Sequence, residues 1–407
     1  MKKITSCDWR GYKMIKTFKV EIKPTAKQRE QFAKAFGTRR WCWNWALATY
    51  ERSLKENGKF LTTFDLDKML NELRRTQPEQ YEWIGEVNTM VKSESLKDFS
   101  LSVKAWCKHL KEARRAPTKV NANKGKPKFK KKGFCQESFR IINKNPETFK
   151  ILSNNYFNFN WTRAYGRMSV KTTENISFLK DADIKTMAIT TKAGKYFMCL
   201  TYEKTNCKVK QPENNTVIGC DLGIKHEVVT FDGEKADIFD LPQSIKRFEH
   251  IYDSRNRKLS SKQYGSKSYL KQKQLCDKAA AKQVNIRKDF LHKLTTYLVR
   301  NYHKIMIDDF SFKGYVATQK NARHAYRVAP YTLKEMLKYK SELYGNEICF
   351  VAKGTPTTQT CSCCGHVLTK DDKISLAQRT YECQNCGSKI DRDVNSAINV
   401  YKLAKAN

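Results

Sequence analysis

Cys361 and Cys364 form one C-x-x-C pair and Cys383 and Cys386 another, with 18 residues between them. That spacing falls in the window of a four-thiolate zinc site, and a glycine turn, Gly365 or Gly387, follows each pair. Four free structural thiols account poorly for those turns. Cys363 and His366 crowd the first knuckle and stand as substitute ligands. Four thiolates leave no open coordination position, so the site's task is folding and placement. What it places follows directly. Four residues after Cys386 the chain reads "DRDVNSAINVYK", an amphipathic helix behind Asp391 and Asp393.

The other nine of the 14 cysteines are scattered singly, as in a cytosolic protein with one metal site. At 407 residues the chain exceeds what one core usually supports, so several domains are expected. "MIKTFKVEI" reads as a strand, Pro24 as a turn, and a helix opens near Thr25; helical periodicity then recurs to about Leu110. Trp41 and Trp45 share one helical face and read as core, with base stacking the alternative for these and Trp43. From Phe139 to Tyr202 the pattern turns to strands and ends in two β-rich runs around Ala193-Gly194, which suggests a small barrel.

From Val217 the pattern is α/β. "VIGCDLGI" and "EVVTF" read as strands, Asp232-Gly233 as a hairpin turn and "ADIFDL" as a third strand. A basic helical region follows to about Arg300, broken near "SSKQYGSKS", then a strand "KIMIDDF", a helix stopped by Gly345, a strand "EICFVAKG" and the final helix. Three hairpin-linked strands followed by helix, strand, helix, strand, helix is the order of a ribonuclease H-like domain.

In that order Asp221 interrupts the first apolar strand, Asp308 and Asp309 end a neighbouring one, and Asp393 starts the last helix. Three carboxylates would converge there. Such a cluster is unfavourable without cations, and hard oxygen ligands suit Mg²⁺ or Mn²⁺. Asp391 reads as a helix cap. The seven histidines make no ligand pattern, and His226 and His292 read as surface or structural residues.

Lys and Arg number 78 against 41 Asp and Glu, a net charge of +37 spread along the chain, which points to a polyanionic partner. Residues 113–133 carry nine basic and no acidic side chains with two prolines, and so read as a basic arm. Arg114, Arg115, Lys126, Lys128, Lys130, Lys131 and Lys132 are its candidate nucleic-acid contacts, with Phe129 placed to stack or to anchor. No run of about 18 apolar residues and no opening signal segment is present, so no membrane partner is expected.

Together "VIGCDLGIKHEVVTFDG", "IMIDDF", "TLKEMLKYKSELYG", "TQTCSCCG" and "YECQNCGSKIDRDVNSAINVY" resemble the RuvC domain of TnpB, the transposon-encoded RNA-guided DNA nuclease family related to type V CRISPR effectors. The N-terminal "KTFKVEIKPTAKQREQFAKAFGTRRWCWNWAL" and the "GKPKFKKKG" arm fit the same family from Met14 onward, leaving Met1 to Lys13 as an extension. The resemblance implies an α/β multidomain protein. Its parts are a β-barrel wedge domain (1–26 and 117–210) with an inserted helical recognition lobe (27–116), and a RuvC nuclease (211–354 and 391–407) with a zinc ribbon inserted at 355–390. It implies catalytic Asp221, Asp308 and Asp393 holding Mg²⁺ or Mn²⁺, and structural Zn²⁺ on Cys361, Cys364, Cys383 and Cys386. It also implies a guide RNA from the transposon end and cleavage of double-stranded target DNA beside a short motif, by a protein expected to be monomeric and cytoplasmic, at the bacterial nucleoid. The family usually has Glu-Asp-Leu where this chain has Asp308-Asp309-Phe310, which shortens the second carboxylate by one methylene, about 1.5 Å of reach. A nuclease-impaired, RNA-guided DNA-binding repressor and a DNA-binding transposition accessory factor are the alternative readings.

Overall fold

The computed structural model describes residues 13–115, 124–205, 212–213, 215–223, 226–308, 329–352, 354–369, 372, 374 and 378–406. The extension expected over Met1 to Lys13 lies, save for Lys13, outside them, as do Asp309 and Phe310. The chain divides into two compact units, one within residues 10–206 and the other within 207–407.

The first unit joins helices to two small sheets. Strand β1 (Lys13–Ile22) leads into α1 (Ala26–Asn57), a single 32-residue helix opened by a capping box in which Thr25 and Gln28 bond each other's backbone N–H groups. Helix α2 (Thr63–Thr76), a turn α3 (Pro78–Tyr81) and α4 (Thr89–Arg115) complete the helical part. Strands β2 (Ser138–Ile142), β3 (Phe149–Ser153), β4 (Tyr156–Thr162), β5 (Gly166–Lys171), β6 (Asp183–Lys192) and β7 (Lys195–Thr205) follow. They form a four-stranded sheet in the order β1-β7-β6-β2 and a three-stranded sheet β3-β4-β5. The β6–β7 hairpin closes on Ala193 and Gly194, both at positive φ, the two-residue geometry that matches strand twist. Phe139, Ile141, Phe157, Phe159, Trp161 and Met187 from both sheets share one core with Phe32 and Phe36 of α1. A second core, around Trp43, Leu47, Leu66, Leu70, Leu96 and Phe99, ties the helices to one another.

The second unit is a five-stranded mixed sheet, β8 (Val217–Asp221), β9 (Val228–Phe231), β10 (Ala236–Phe239), β11 (Lys304–Ile307) and β12 (Glu347–Phe350), in the order β10-β9-β8-β11-β12. Strands β8 to β10 are antiparallel, and β11 runs parallel to both β8 and β12. Helices α5 (Ser244–Ser260) and α6 (Lys267–Asn301) separate β10 from β11, α7 (Pro330–Tyr344) precedes β12, and α8 (Arg392–Ala406) ends the chain. Between β12 and α8 lies the cysteine-bearing segment, with its hairpin β13 (Thr380–Glu382) and β14 (Lys389–Asp391).

The sheet is covered on both faces, and the period-two alternation of its strands decides which residues face which helix. Ile218, Cys220, Ile305 and Ile307 pack with Leu291, Leu294 and Leu298 of α6 and Leu333 and Leu337 of α7. On the opposite face Met306 and Val351 pack with Val400 and Ala404 of α8. Alternation therefore puts Val217, Gly219 and Asp221 on the α8 side. A Cβ on Gly219 would stand 2.7 Å from the Ala397 carbonyl oxygen and closer still to the Tyr401 backbone nitrogen, so helix and strand touch backbone to backbone there. Neither can yield by rotating a side chain. Gly219→Ala is accordingly expected to destabilise this unit by about 3 kcal/mol or more, and a calorimetric scan should show a drop of roughly 6 to 12 °C. An unchanged melting temperature would mean that α8 moves off the sheet at little cost.

Candidate functional site

Asp221 ends β8, and Asp308 follows the last residue of β11. The parallel register pairs Ile307 with Cys220, and the Asp308 N–H donates to the Cys220 carbonyl at 3.0 Å, so the two aspartates sit side by side on the α8 face. Asp393 lies in the first turn of α8, whose Asp393, Ala397, Val400 and Ala404 recur at helical spacing and are all buried. Asp391 accepts from the Asp393 and Val394 N–H groups, as a cap should. The close approach at Gly219 carries the start of α8 over the ends of β8 and β11. Asp393 Oδ2 lies 3.7 Å from where a Cβ on Gly223 would stand, two residues past Asp221.

The electrostatics show the crowding. Burial pushes the Asp221 carboxyl up to about 7; the Ser396 hydroxyl, donating at 2.9 Å, opposes this, while Asp308 and Asp393 push the same way and Arg392 opposes them. Asp393 is 3% exposed, and among the described residues its Oδ2 has no hydrogen-bond partner, though Arg379 Nη1 stands 3.9 Å away and Arg392 Nε is 3.6 Å from Oδ1. Asp308 is half-buried and accepts from the Thr357 hydroxyl at 2.6 Å. Among the described residues only the four cysteines bring three or more ligand atoms within 4.8 Å of one another, so the carboxylates face a common space without closing to that distance. A buried carboxylate oxygen without a donor, beside two more carboxylates, is a donor set suited to a hard divalent cation.

The cysteine-bearing segment gathers Cys361, Cys364, Cys383 and Cys386, with their sulfurs all within 4.8 Å. Cys361 and Cys386 lie 3.7 Å apart and Cys364 and Cys383 3.6 Å, close to the edge of about 3.8 Å of a tetrahedron with zinc–sulfur bonds of about 2.3 Å. Each knuckle closes on a backbone bond, Gly365 N–H to Cys361 O and Gly387 N–H to Cys383 O. Cys363 and His366 are exposed and outside the four. Leu368 and Tyr381 pack against the buried pair Cys361 and Cys383. The four-thiol cluster is a zinc-type site.

In the first unit the basic arm is not a free linker. Its first residues finish α4, which runs to Arg115; residues 116–123 and the Arg114 side chain lie outside the described residues. Further on, the Trp43 indole donates to the Lys128 carbonyl at 3.0 Å. Asn44 grips the Lys130 backbone twice, accepting at 2.7 Å and donating at 2.9 Å. Lys130 turns inward, its Nζ 3.3 Å from the centre of the Trp43 ring, and burial lowers it to about 8. Arg115, Lys126, Lys128, Lys131 and Lys132 are exposed, as is Phe129 at 59%. Trp41 and Trp45 stack on each other against the helical core, which occupies both rings. Of the two histidines, His226 pairs with Asp240 at 3.0 Å, and burial lowers the His292 imidazole.

Residues missed by sequence reasoning are polar ones around α8: Thr357, Asn395 and Asn399 between the helix and the knuckle segment, and Ser396 between the helix and Asp221. The i, i+4 spacing of the two asparagines is the one sign the sequence carries. No helix among the described residues is long and apolar enough to cross a membrane.

Three sequence families match in order along the chain: a "Helix-turn-helix domain" of OrfB/IS605 type at residues 14–59, the OrfB/IS605 "Probable transposase" at 197–319, and a "Cas12f1-like, TNB domain" at 331–400. In this chain the first of these is one strand and one unbroken helix, α1. A Streptomyces pristinaespiralis protein named "Putative RNA-guided DNA endonuclease" is 26% identical over 387 residues, covering 95% of this chain and 88% of that protein. "Putative RNA-guided DNA endonuclease InsQ" of Escherichia coli (strain K12) is 24% identical over 411 residues, 97% of this chain and 93% of that one. Among solved structures, the Cas12f1 chain of a complex with single-guide RNA and target DNA is 14% identical at a TM-score of 0.49, covering 96% of this chain and 99% of its own, a likeness too distant to build on. The ordered family matches and the two relatives aligned end to end make this chain similar, along nearly its whole length, to OrfB/IS605 transposon proteins and to proteins named putative RNA-guided DNA endonucleases.

Proposed function

We propose that this chain is an RNA-guided DNA endonuclease that cuts double-stranded target DNA at a RuvC-type site formed by Asp221, Asp308 and Asp393. One observation carries the reading: three acidic side chains from β8, the end of β11 and the start of α8 meet at one corner, where Asp221 and Asp393 are buried, Asp221 is pushed up to about 7 and Asp393 Oδ2 lacks a donor among the described residues. The strand order β10-β9-β8-β11-β12, with helices on both faces, supports a ribonuclease H-like nuclease domain with the knuckle segment as its zinc ribbon. The first unit supports a barrel wedge domain carrying the helical recognition lobe. The names of the two end-to-end relatives supply the substrate class.

Asp221, Asp308 and Asp393 would hold Mg²⁺ or Mn²⁺, which when bound supplies positive charge for the attacking and leaving oxygens of a phosphodiester. The chain's own groups set this up. The Ser396 hydroxyl donates to Asp221 and the Thr357 hydroxyl to Asp308, while burial keeps Asp393 and Asp221 from bulk water. Four thiolates on zinc leave no open position, so the ribbon's part is placement. The exposed lysines of the arm, with the charge of +37, suit the backbone of a guide RNA and its heteroduplex, while base pairing reads the sequence.

The test is to express the protein with its flanking genomic DNA transcribed, sequence the RNA that copurifies, and incubate the complex with a matched plasmid in Mg²⁺ and in Mn²⁺. A defined guide and a cut plasmid are expected. Tight binding of an uncut plasmid in both metals would replace this reading with that of an RNA-guided repressor, and the absence of any bound RNA with that of an unguided DNA-binding protein.

A further inference from the structure

The segment that enters the first zinc knuckle is fastened to α8 by one row of side chains. Asn395 donates to the Thr360 carbonyl at 2.7 Å and accepts from the Ser362 N–H at 2.8 Å. Asn399 donates to the carbonyls of Thr357 at 2.8 Å and Thr360 at 2.7 Å, and the Lys402 ammonium donates to the Ser362 carbonyl. Positions 395, 399 and 402 lie on one face of a helix, beside the Asp393, Ala397 and Val400 face that packs on the sheet. Thr357 is the point where this row meets the carboxylates. It is 4% exposed, α8 holds its carbonyl, and its hydroxyl donates to Asp308 Oδ2 at 2.6 Å.

We propose that Thr357 is a positioning residue: its hydroxyl, fixed from the zinc-bearing segment, sets the orientation of the Asp308 carboxylate toward the ions that this carboxylate, Asp221 and Asp393 would hold. The inference rests on the nuclease reading and adds to it a direct link between zinc knuckle and reaction centre. The chemistry favours such a link at an aspartate. Asp308 reaches from the strand end through one methylene, so χ1, with three staggered wells, places its carboxyl carbon and a broad χ2 turns the two oxygens. A charge-assisted hydrogen bond from a buried, backbone-anchored hydroxyl selects one well before any cation arrives.

Loss of a charge-assisted bond should weaken ion binding roughly tenfold to a hundredfold. The test uses the full chain with its copurified guide RNA and compares Thr357→Val, which keeps the shape and removes the hydroxyl, with Thr357→Ser, which keeps the hydroxyl. Three quantities are read: Mn²⁺ binding by electron paramagnetic resonance, the Mn²⁺ concentration that half-saturates cleavage, and zinc content with target affinity in chelator-free, Mn²⁺-free buffer. The expected result is weaker Mn²⁺ binding and a matching rise in half-saturating Mn²⁺ for the valine variant alone, with zinc and target affinity as in the parent. Should the valine variant lose its zinc or fail to fold, Asn399→Ala takes its place. That change loosens the Thr357 carbonyl without touching Asp308, and should move Mn²⁺ binding in the same direction by a smaller factor. Parental Mn²⁺ binding in the valine variant, or in Asn399→Ala where that replaces it, overturns the proposal. Equal weakening in the serine and valine variants does so too. If the parent binds Mn²⁺ but never cuts, the nuclease reading falls, and the comparison of Mn²⁺ binding still decides the role of Thr357.

Discussion

Asp308→Ala is expected to abolish cleavage of a matched target while leaving RNA-guided binding of that target close to the parental level. A carboxylate that helps hold a catalytic ion contributes several kcal/mol of transition-state charge stabilisation, and about 4 kcal/mol corresponds to roughly a thousandfold in rate. Binding draws instead on base pairs and on backbone contacts spread over the basic surface. A gel assay for cut plasmid and a filter-binding assay for the uncut one separate the two quantities. A variant that cuts within tenfold of the parent would remove Asp308 from the site. The longer side chain should not improve matters. Asp308 Oδ2 already meets the Thr357 hydroxyl at 2.6 Å, so the added methylene of Asp308→Glu has to displace that hydroxyl. The short carboxylate and the buried threonine fit each other, and Asp308→Glu is expected to cut more slowly than the parent.

Cys383→Ser should lose one zinc per chain and with it the order of the C-terminal segment. Cys383 is buried, its sulfur lies 3.6 Å from that of Cys364, and its carbonyl closes the second knuckle through Gly387. Structural zinc supplies apparent binding free energy on the order of 10 kcal/mol in small zinc domains, nearly all of it folding free energy. Among the described residues its apolar cluster is small, Cys361, Leu368, Tyr381 and Cys383 with Ile374 and Ile390 against it, so beside the polar row from α8 the metal carries much of its order. Because Thr360 and Ser362 brace Asn395 and Asn399, the loss should spread into α8 and reduce cleavage as well. Metal analysis, and hydrogen exchange over residues 357–369 and 392–406, would show it. Full zinc content in this variant would point to Cys363 or His366 as a fourth ligand.

The elements that sequence could predict are those whose cause is local. Thr25 with Gln28, the Ala193-Gly194 turn, the stop at Gly345 and the break between α5 and α6 each depend on residues within a few positions of one another. The cysteine quartet is legible because C-x-x-C geometry is dictated by the knuckle itself and only one long separation is left open. The basic arm was legible as charge but not as structure. Whether Lys130 faces solvent depends on Trp43 and Asn44, more than eighty positions away, and these turn it inward.

Composition and spacing by themselves determined that the chain is polybasic, that it holds a four-thiol metal knuckle, and that acidic residues stand at two strand ends and one helix start. Each is a property of residue type or short range. Only the tertiary structure decided that these acids share a corner, because that depends on the parallel register of β8 and β11 and on the bare backbone at Gly219 that lets α8 lie against the sheet. It also decided that Asn395 and Asn399, unremarkable polar residues in the sequence, bind the knuckle segment to α8, and that the hydroxyls of Thr357 and Ser396 donate to Asp308 and Asp221. Buried polar groups must find partners, and which partner each finds is fixed only when distant segments are packed together.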